Sequence, residues 1–323
     1  MVISKTPLRI SFVGGGTDID TYYKTGYGAV VSAAINKYLF VTVHKRFDNA
    51  IRVSYTKTEV VTSIDALQHD IVRACLQMVG IESGIEITTI GEVPGGTGLG
   101  SSSSLTVGLL NALYAYKGIS MAAHELAQRA CEIEINVLKA PIGKQDQSAA
   151  AFGGINYIRF NADESIERQQ IVLPEIPCRA LERKLMLMYT GQQRNANIVL
   201  TEQKKKTPSR LDTLDYMRDQ ADKLHKVLLS SENFHEQFAQ MLHDGWQKKR
   251  SITQEISNTE IDKLYESALA AGAKGGKLLG AGGGGFLLLY CDEQYQDRVR
   301  QALKLKELDF HFTRYGSRIV YFS

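Results

Sequence analysis

Apolar and polar residues alternate along residues 7–13 (Leu-Arg-Ile-Ser-Phe-Val) until three glycines stop the pattern. A period of two predicts a strand with one buried face. Strands are also expected at 29–35, 38–44, 51–55, 85–90 and 155–160, in the apolar run 184–189, at 286–290 after a glycine cluster, and a mostly β segment at 310–322. Ile71, Val72, Cys75, Leu76 and Val79 recur at helical spacing, which predicts a helix over 65–79. Residues 105–116 are small and apolar throughout and predict a buried helix. Further helices are expected at 121–138 and 261–271, and a polar helical run from 207 to about 257 holds Trp246, the only tryptophan. Residues 141–147 read as a loop, with a short helix starting at 148–152. Strands and helices mix without regular βαβ alternation, which favours α+β over a doubly wound sheet.

The chain has 323 residues, room for two closely packed domains. The composition changes around Pro174 to Pro177, so a boundary is expected near 175–183. The net charge of +3 is too small to suggest a nucleic-acid partner. The two basic runs, Lys204 to Lys206 and Lys248 to Arg250, read as solvated helix faces. Cys75, Cys131, Cys178 and Cys291 lie far apart, as expected for reduced thiols in a cytoplasmic protein. No apolar window approaches a membrane span, and the first nine residues do not read as a signal peptide.

The 28 glycines cluster, and clustered glycine lets the backbone approach a partner closely or turn with positive φ. Residues 94–104, Pro-Gly-Gly-Thr-Gly-Leu-Gly-Ser-Ser-Ser-Ser, lie between a predicted strand and a predicted buried helix. Free N–H groups and the helix dipole at such a junction bind anions such as phosphate. This is no Walker loop, since G-x-x-x-x-G-K-[ST] is absent. The protein-kinase motifs are absent as well, and a dinucleotide fingerprint fits poorly. Residues 280–285, Gly-Ala-Gly-Gly-Gly-Gly, read either as backbone packed on a ligand or loop, or as a simple turn. Glu134 and the segment Gly143-Lys-Gln-Asp146-Gln147 supply carboxylates for Mg²⁺ or for proton transfer, although the segment alone also reads as a solvated loop. Lys144 stands beside Asp146 as a candidate phosphate contact. Asp18 follows three glycines and could hold hydroxyls or simply shape a turn.

Taken together, these segments resemble the GHMP kinase superfamily, which includes galactokinase and the homoserine, mevalonate and phosphomevalonate kinases. The resemblance rests on three motifs in order: Pro7-x-Arg9 running to Gly14-Gly-Gly-Thr-Asp18, Pro94-x-x-x-Gly98-Leu-Gly-Ser-Ser-Ser103, and Gly280-x-Gly-Gly-Gly-Gly-Phe286. The triple glycine, the Gly143 to Gln147 loop and Tyr189-Thr-Gly-x-x-Arg194 look like the branch acting on heptose 7-phosphates. Ser104, often alanine in relatives, and Gln192-Gln193 depart from the pattern. The resemblance implies an N-terminal ATP-binding α+β domain with a left-handed βαβ unit over residues 1–180. It implies a C-terminal ferredoxin-like domain over 181–323, with ATP and sugar bound between the two.

It also implies roles. Asp146 is the base, with Arg9 and Lys144 as catalytic neighbours. Pro94, Gly95, Gly96, Gly98, Leu99, Gly100, Ser101, Ser102 and Ser103 form the nucleotide loop. Glu134 and Ser102 or Ser103 hold Mg²⁺. Gly15, Gly16, Thr17 and Asp18, with Gly283 and Gly284, hold the sugar. Arg194 is either a surface arginine or the partner of a phosphate already on the sugar. The expected activity is phosphorylation of the anomeric hydroxyl of a heptose 7-phosphate, on a route to GDP-heptose for surface polysaccharide. Another sugar 1-kinase acting on fucose, galactose or a uronic acid, or a non-catalytic sugar sensor, would carry the same motifs. The sequence leaves monomer and homodimer open.

Overall fold

The computed structural model describes residues 1–193, 196–230 and 234–323. Its strands are β1 (Val2–Val13), β2 (Tyr27–Lys45), β3 (Ile51–Ser54), β4 (Thr58–Val61), β5 (Ile85–Gly91), β6 (Ile155–Asn161), β7 (Ile166–Ile171), β8 (Leu185–Tyr189), β9 (Ala273–Leu278), β10 (Phe286–Cys291), β11 (Lys306–Glu307) and β12 (Arg318–Phe322). Its α-helices are α1 (Asp20–Tyr23), α2 (Asp70–Val79), α3 (Ser101–Tyr116), α4 (Ala123–Cys131), α5 (Gln145–Phe152), α6 (Glu175–Arg183), α7 (Ala196–Lys206), α8 (Leu211–Ser230), α9 (His235–Arg250), α10 (Thr259–Ala271) and α11 (Glu293–Leu303).

One sheet has the order β12-β1-β2-β5-β3-β4, with β6 also paired to β2 and β7 to β6. The two strands expected at 29–35 and 38–44 are one strand, β2. Its first half pairs with β6 and its second with β5, and its register against β1 slips where Pro7 faces Tyr38 and Leu8 faces Ile35. Asn36 and Lys37 fall at that bulge, so the alternation breaks there although the strand continues. The second sheet has the order β11-β8-β10-β9, antiparallel throughout. Helices lie between β8 and β9, a glycine turn joins β9 to β10, and α11 leads to β11. This is the βαββαβ ferredoxin-like order 4-1-3-2 with an enlarged first crossover.

β12 returns to pair with β1. The first sheet therefore draws on both ends of the chain, and residue 180 falls inside α6. Only residues 318–322 of the expected β segment 310–322 form a strand; Phe312 adds a single bridge to Ile35. Helices α1, α6, α7 and α11 and strands β4, β7 and β11 were not among the expected elements. Among the described residues no helix is long and apolar enough to cross a membrane.

A continuous apolar core joins the two sheets. Leu8, Ile10 and Phe12 of β1 share it with Leu187, Phe238, Leu242 and Leu288, and the Phe12 and Phe238 ring centroids are 5.1 Å apart. At the edge of this core α8 is clamped to the first sheet. Tyr27 and Tyr157 both donate their hydroxyl to Asp222, at 2.7 and 2.6 Å, and His225 stacks on Tyr157. Asp222→Ala strands both hydroxyls and should cost about 1–3 kcal/mol. The check is the midpoint of urea unfolding, which should fall without a change in slope.

Candidate active site

The floor of the site is made by backbone meeting backbone. A Cβ added to Gly98, whose φ is +84°, would lie 2.5 Å from the Leu279 carbonyl oxygen, and one added to Gly280 would lie 2.5 Å from the Gly98 Cα. The Phe286 N–H donates to the Thr97 carbonyl at 3.2 Å. Only glycine allows this approach, so of the two readings of residues 280–285 the structure supports close packing.

α3 starts at Ser101, four residues before the expected start, with Gly100 as its left-handed cap. No side chain caps it. The first-turn amides therefore have no side-chain acceptor, and the positive end of the dipole faces the cleft. Ser104 donates to the Pro7 carbonyl at 2.8 Å, and the Arg9 N–H donates to the Leu99 carbonyl at 3.0 Å. The loop and helix are thus fastened along β1.

Arg9 is 3% exposed. Its Nε and Nη2 donate to the two oxygens of Asp146 at 2.7 and 2.6 Å, and its Nη1 donates to the Gly98 carbonyl at 2.6 Å. Asp146 lies in the first turn of α5, where a loop was expected, and the helix dipole there favours its negative charge. Its side chain remains 27% exposed toward the cleft.

Asp18 is buried and accepts from the Gly16 and Gln145 amides at 2.9 and 3.2 Å. Burial, and then the charge of Asp146, push its pKa up against those donors. Gly143 is the contact that admits it: a Cβ there would lie 2.0 Å from Asp18 Oδ2.

Glu134 is carried by a π-helical turn, Glu132–Val137, that continues α4, an irregularity often found at functional positions. It is 2% exposed. Ser102 donates to one of its oxygens at 3.0 Å and Gln147 to the other at 2.7 Å. Burial pushes its pKa up to about 7, against hydrogen bonds from Ser103, Gln147 and Ser102. One carboxylate beside a serine hydroxyl at a helix start facing the cleft fits Mg²⁺, which takes few protein ligands and completes its shell with phosphates and water. Among the described residues no set of three His, Cys, Asp or Glu forms a cage of its own.

These groups line a cleft of about 450 Å³. It brings together Arg9, Gly15, Gly16, Asp18, Gly96, Gly98, Gly100, Ser101, Ser102, Ser103, Glu134, Asp146 and Gly284. Other expected residues are elsewhere. Lys144 points its ammonium at the Glu164 carbonyl, 3.2 Å away, and over the Tyr23 ring, in a separate hollow. The Thr17 hydroxyl is buried between the Gly14 and Ala29 carbonyls and holds the loop. Leu99 is in the core, while Pro94 and Gly95 are exposed and do not line the cleft. Gly283 is turned to the Ile256 carbonyl at 2.9 Å. Arg194 lies outside the described residues.

Conversely, sequence reading missed Ser11, Gln145, Gln203, Lys249 and Lys277 on the cleft wall. Lys249 belongs to a run expected to be solvated, yet it is buried. Phe238, Leu242, Trp246 and Lys249 share the apolar stripe of α9, a helical spacing that was present in the sequence. For Lys277, in a strand buried on both faces, no such signal existed.

A mixed α+β fold with an uncapped helix start at the cleft, a glycine-braced floor and carboxylates across from it has the make-up of a phosphotransferase, and the similarities that follow make it an ATP-dependent sugar kinase. Residues 66–154 match the GHMP kinase N-terminal domain and residues 225–307 the GHMP kinase C-terminal domain, and the chain belongs to the GHMP kinase family. It is 30% identical over 330 residues to the D-glycero-alpha-D-manno-heptose 7-phosphate kinase of Campylobacter jejuni, covering 97% of both chains. It is 26% identical to the L-fucokinase/L-fucose-1-P guanylyltransferase of Bacteroides fragilis, covering 94% of this chain and 36% of that protein. Its fold matches, with TM-score 0.83 and 24% identity over the whole of both chains, the crystal structure of a D-glycero-D-manno-heptose 1-phosphate kinase from Bacteroides thetaiotaomicron.

The raised pKa of Glu134 has a consequence for stability. The folded state binds that proton more tightly than the unfolded chain. The associated stability is therefore complete below the unfolded pKa of 4.5 and is lost as pH rises through about 7. Without nucleotide or metal, wild type should lose on the order of 3 kcal/mol between pH 4.5 and 7.5 relative to Glu134→Gln. Urea midpoints of both proteins across that range are the check.

Proposed function

We propose that this kinase phosphorylates the anomeric hydroxyl of a sugar phosphate, with D-glycero-α-D-manno-heptose 7-phosphate as the substrate and the 1,7-bisphosphate as product. The reaction would serve GDP-heptose and surface-polysaccharide synthesis in the cytoplasm. The observation that carries the reading is Asp146 on Arg9, facing the uncapped amides of α3 across one cleft. The full-length similarity to the Campylobacter jejuni enzyme supports the choice of sugar.

In this reading the α3 amides and the glycines at 96, 98 and 100 hold the triphosphate. Asp18 and the neighbouring Gly15 and Gly16 hold sugar hydroxyls. Asp146 Oδ2 keeps a lone pair beyond its bond to Arg9, whereas Oδ1 also accepts from Gln145 Nε2 at 3.3 Å. As the sugar oxygen forms its bond to the γ-phosphorus and the bond to the ADP oxygen breaks, the hydroxyl proton passes to Asp146. Arg9 holds the carboxylate in line, which is the positioning that dominates such transfers. Mg²⁺, held by Glu134 and Ser102, would supply charge neutralisation on the phosphates. The nucleotide contacts come from residues before 180, while Gly284 closes the opposite wall from the later part of the chain.

Similarity to the L-fucokinase/L-fucose-1-P guanylyltransferase of Bacteroides fragilis favours a second sugar, L-fucose, for the same chemistry. ADP release with a panel of sugars, each with and without a terminal phosphate, separates the two. The heptose phosphate should give the highest kcat/KM, and a preference for free fucose would replace it. Asp146→Asn should reduce kcat by about 10² or more while binding of a non-hydrolysable ATP analogue is retained. Near-normal turnover in a stopped assay would remove Asp146 from the base role.

A further inference from the structure

Three polar side chains on the cleft wall have no role in the transfer described above. Gln203, from α7, is 1% exposed, and its Nε2 has no hydrogen-bond partner among the described residues. That amide abuts the acceptor loop: a Cβ on Gly16 would lie 2.4 Å from it. Lys249, from α9, and Lys277, from β9, are 5% and 4% exposed. Lys249 donates to the Gly280 carbonyl, and Lys277 donates to the Phe12 carbonyl at 2.9 Å. Among the described residues neither ammonium has a carboxylate in an ion pair.

A buried cation held only by a carbonyl, without a carboxylate in direct contact, is expensive, and Lys249 and Lys277 share one wall. Burial pulls the Lys249 pKa down to about 8, with Asp18 and Asp146 acting against the shift, and pulls Lys277 down as well. The nucleotide phosphates already have the α3 amides and the Glu134–Ser102 pair. The Gln203 amide, by contrast, lies against Gly16, whose N–H donates to Asp18, the group assigned to the sugar, and Lys277 bonds to Phe12 on the strand that leads into that loop.

We propose that Lys249, Lys277 and the Gln203 amide form an anion subsite in the acceptor half of the cleft, which takes the phosphate already carried by the sugar. This deepens the reading of the substrate as a sugar phosphate and rests on it for the direction in which the sugar lies. A bound phosphate would supply the missing negative charge and accept from the stranded Gln203 Nε2.

Binding without turnover tests the subsite separately from the identity of the sugar. Calorimetry with D-mannose 6-phosphate and with D-mannose, in the absence of ATP, should show the phosphorylated sugar bound at least about tenfold more tightly by wild type. Lys249→Met should abolish that preference. Lys249→Gln keeps a donor for the Gly280 carbonyl but no charge, so it should lose the preference too, while both variants retain their affinity for a non-hydrolysable ATP analogue. Four results overturn the proposal: no preference in wild type, a preference that survives in both variants, rescue by glutamine, or a loss of nucleotide affinity in place of sugar-phosphate affinity. Arg194→Ala is the comparator, and if it alone removes the preference the phosphate belongs to that arginine. A kinase that proves to act on another sugar, or another hydroxyl, leaves the binding result and the subsite intact.

Discussion

Arg9 makes three hydrogen bonds from one guanidinium, two to the Asp146 carboxylate and one to the Gly98 carbonyl. It thereby joins the first strand, the first turn of α5 and the glycine-serine loop. A planar fork with fixed donor directions can do this, whereas a lysine ammonium cannot reproduce the bidentate half. The guanidinium is buried, so each donor needs its acceptor, and removing any one of the three would leave a desolvated charge short of a partner. The line from β1 through Arg9 to Asp146 sets the carboxylate against the α3 amides. The proposed chemistry depends on that placement more than on any single ligand contact.

The second constraint is the absence of side chains where the two glycyl segments meet. Gly98 and Gly280 touch through main chain, and Phe286 bonds back to Thr97. The strands that carry these loops belong to different sheets. The cleft is therefore a product of the joint between the sheets, and the shared core around Phe12 and Phe238 keeps that joint closed. Charge is arranged around the same joint. Asp18, Glu134 and Asp146 face Arg9, Lys249 and Lys277 in a space where burial raises the acids Asp18 and Glu134 and lowers the two lysines. Ligands that bring phosphate and a cation suit such a site because they supply counter-charges that the protein leaves open.

Much of the site was legible because its signals are local. Gly96, Gly98, Gly100 and the serines after them announce a helix start with free amides, and the structure puts Ser101 to Ser103 on the cleft. Lys144 was misjudged because sequence proximity to Asp146 does not fix direction: on α5 and its cap, neighbouring residues point to different sides. Thr17 was misjudged for a related reason, since a hydroxyl between the Gly14 carbonyl of its own loop and the Ala29 carbonyl of β2 ties the loop down instead of facing outward. Lys249 was hidden by its own neighbours, as Lys248 and Arg250 made a buried lysine look like part of a solvated run.

The chain by itself determined its elements wherever the local signal was strong: the alternation of β1, the apolar runs of the helix after the serines and of β10, and the glycine turns. It also determined the chemical kind of the site, because glycine tolerance and the orphan amides of a helix end are properties of a few consecutive residues. Only the tertiary structure decided which groups meet. Arg9 and Asp146 are 137 residues apart, and Lys277 reaches Phe12 across 265. The return of β12 to β1, the fusion of two expected strands into β2 and the burial of Lys249 were settled in the same way. Each depends on which surfaces become neighbours when apolar area leaves water, and that is a property of the whole fold, not of a window of sequence.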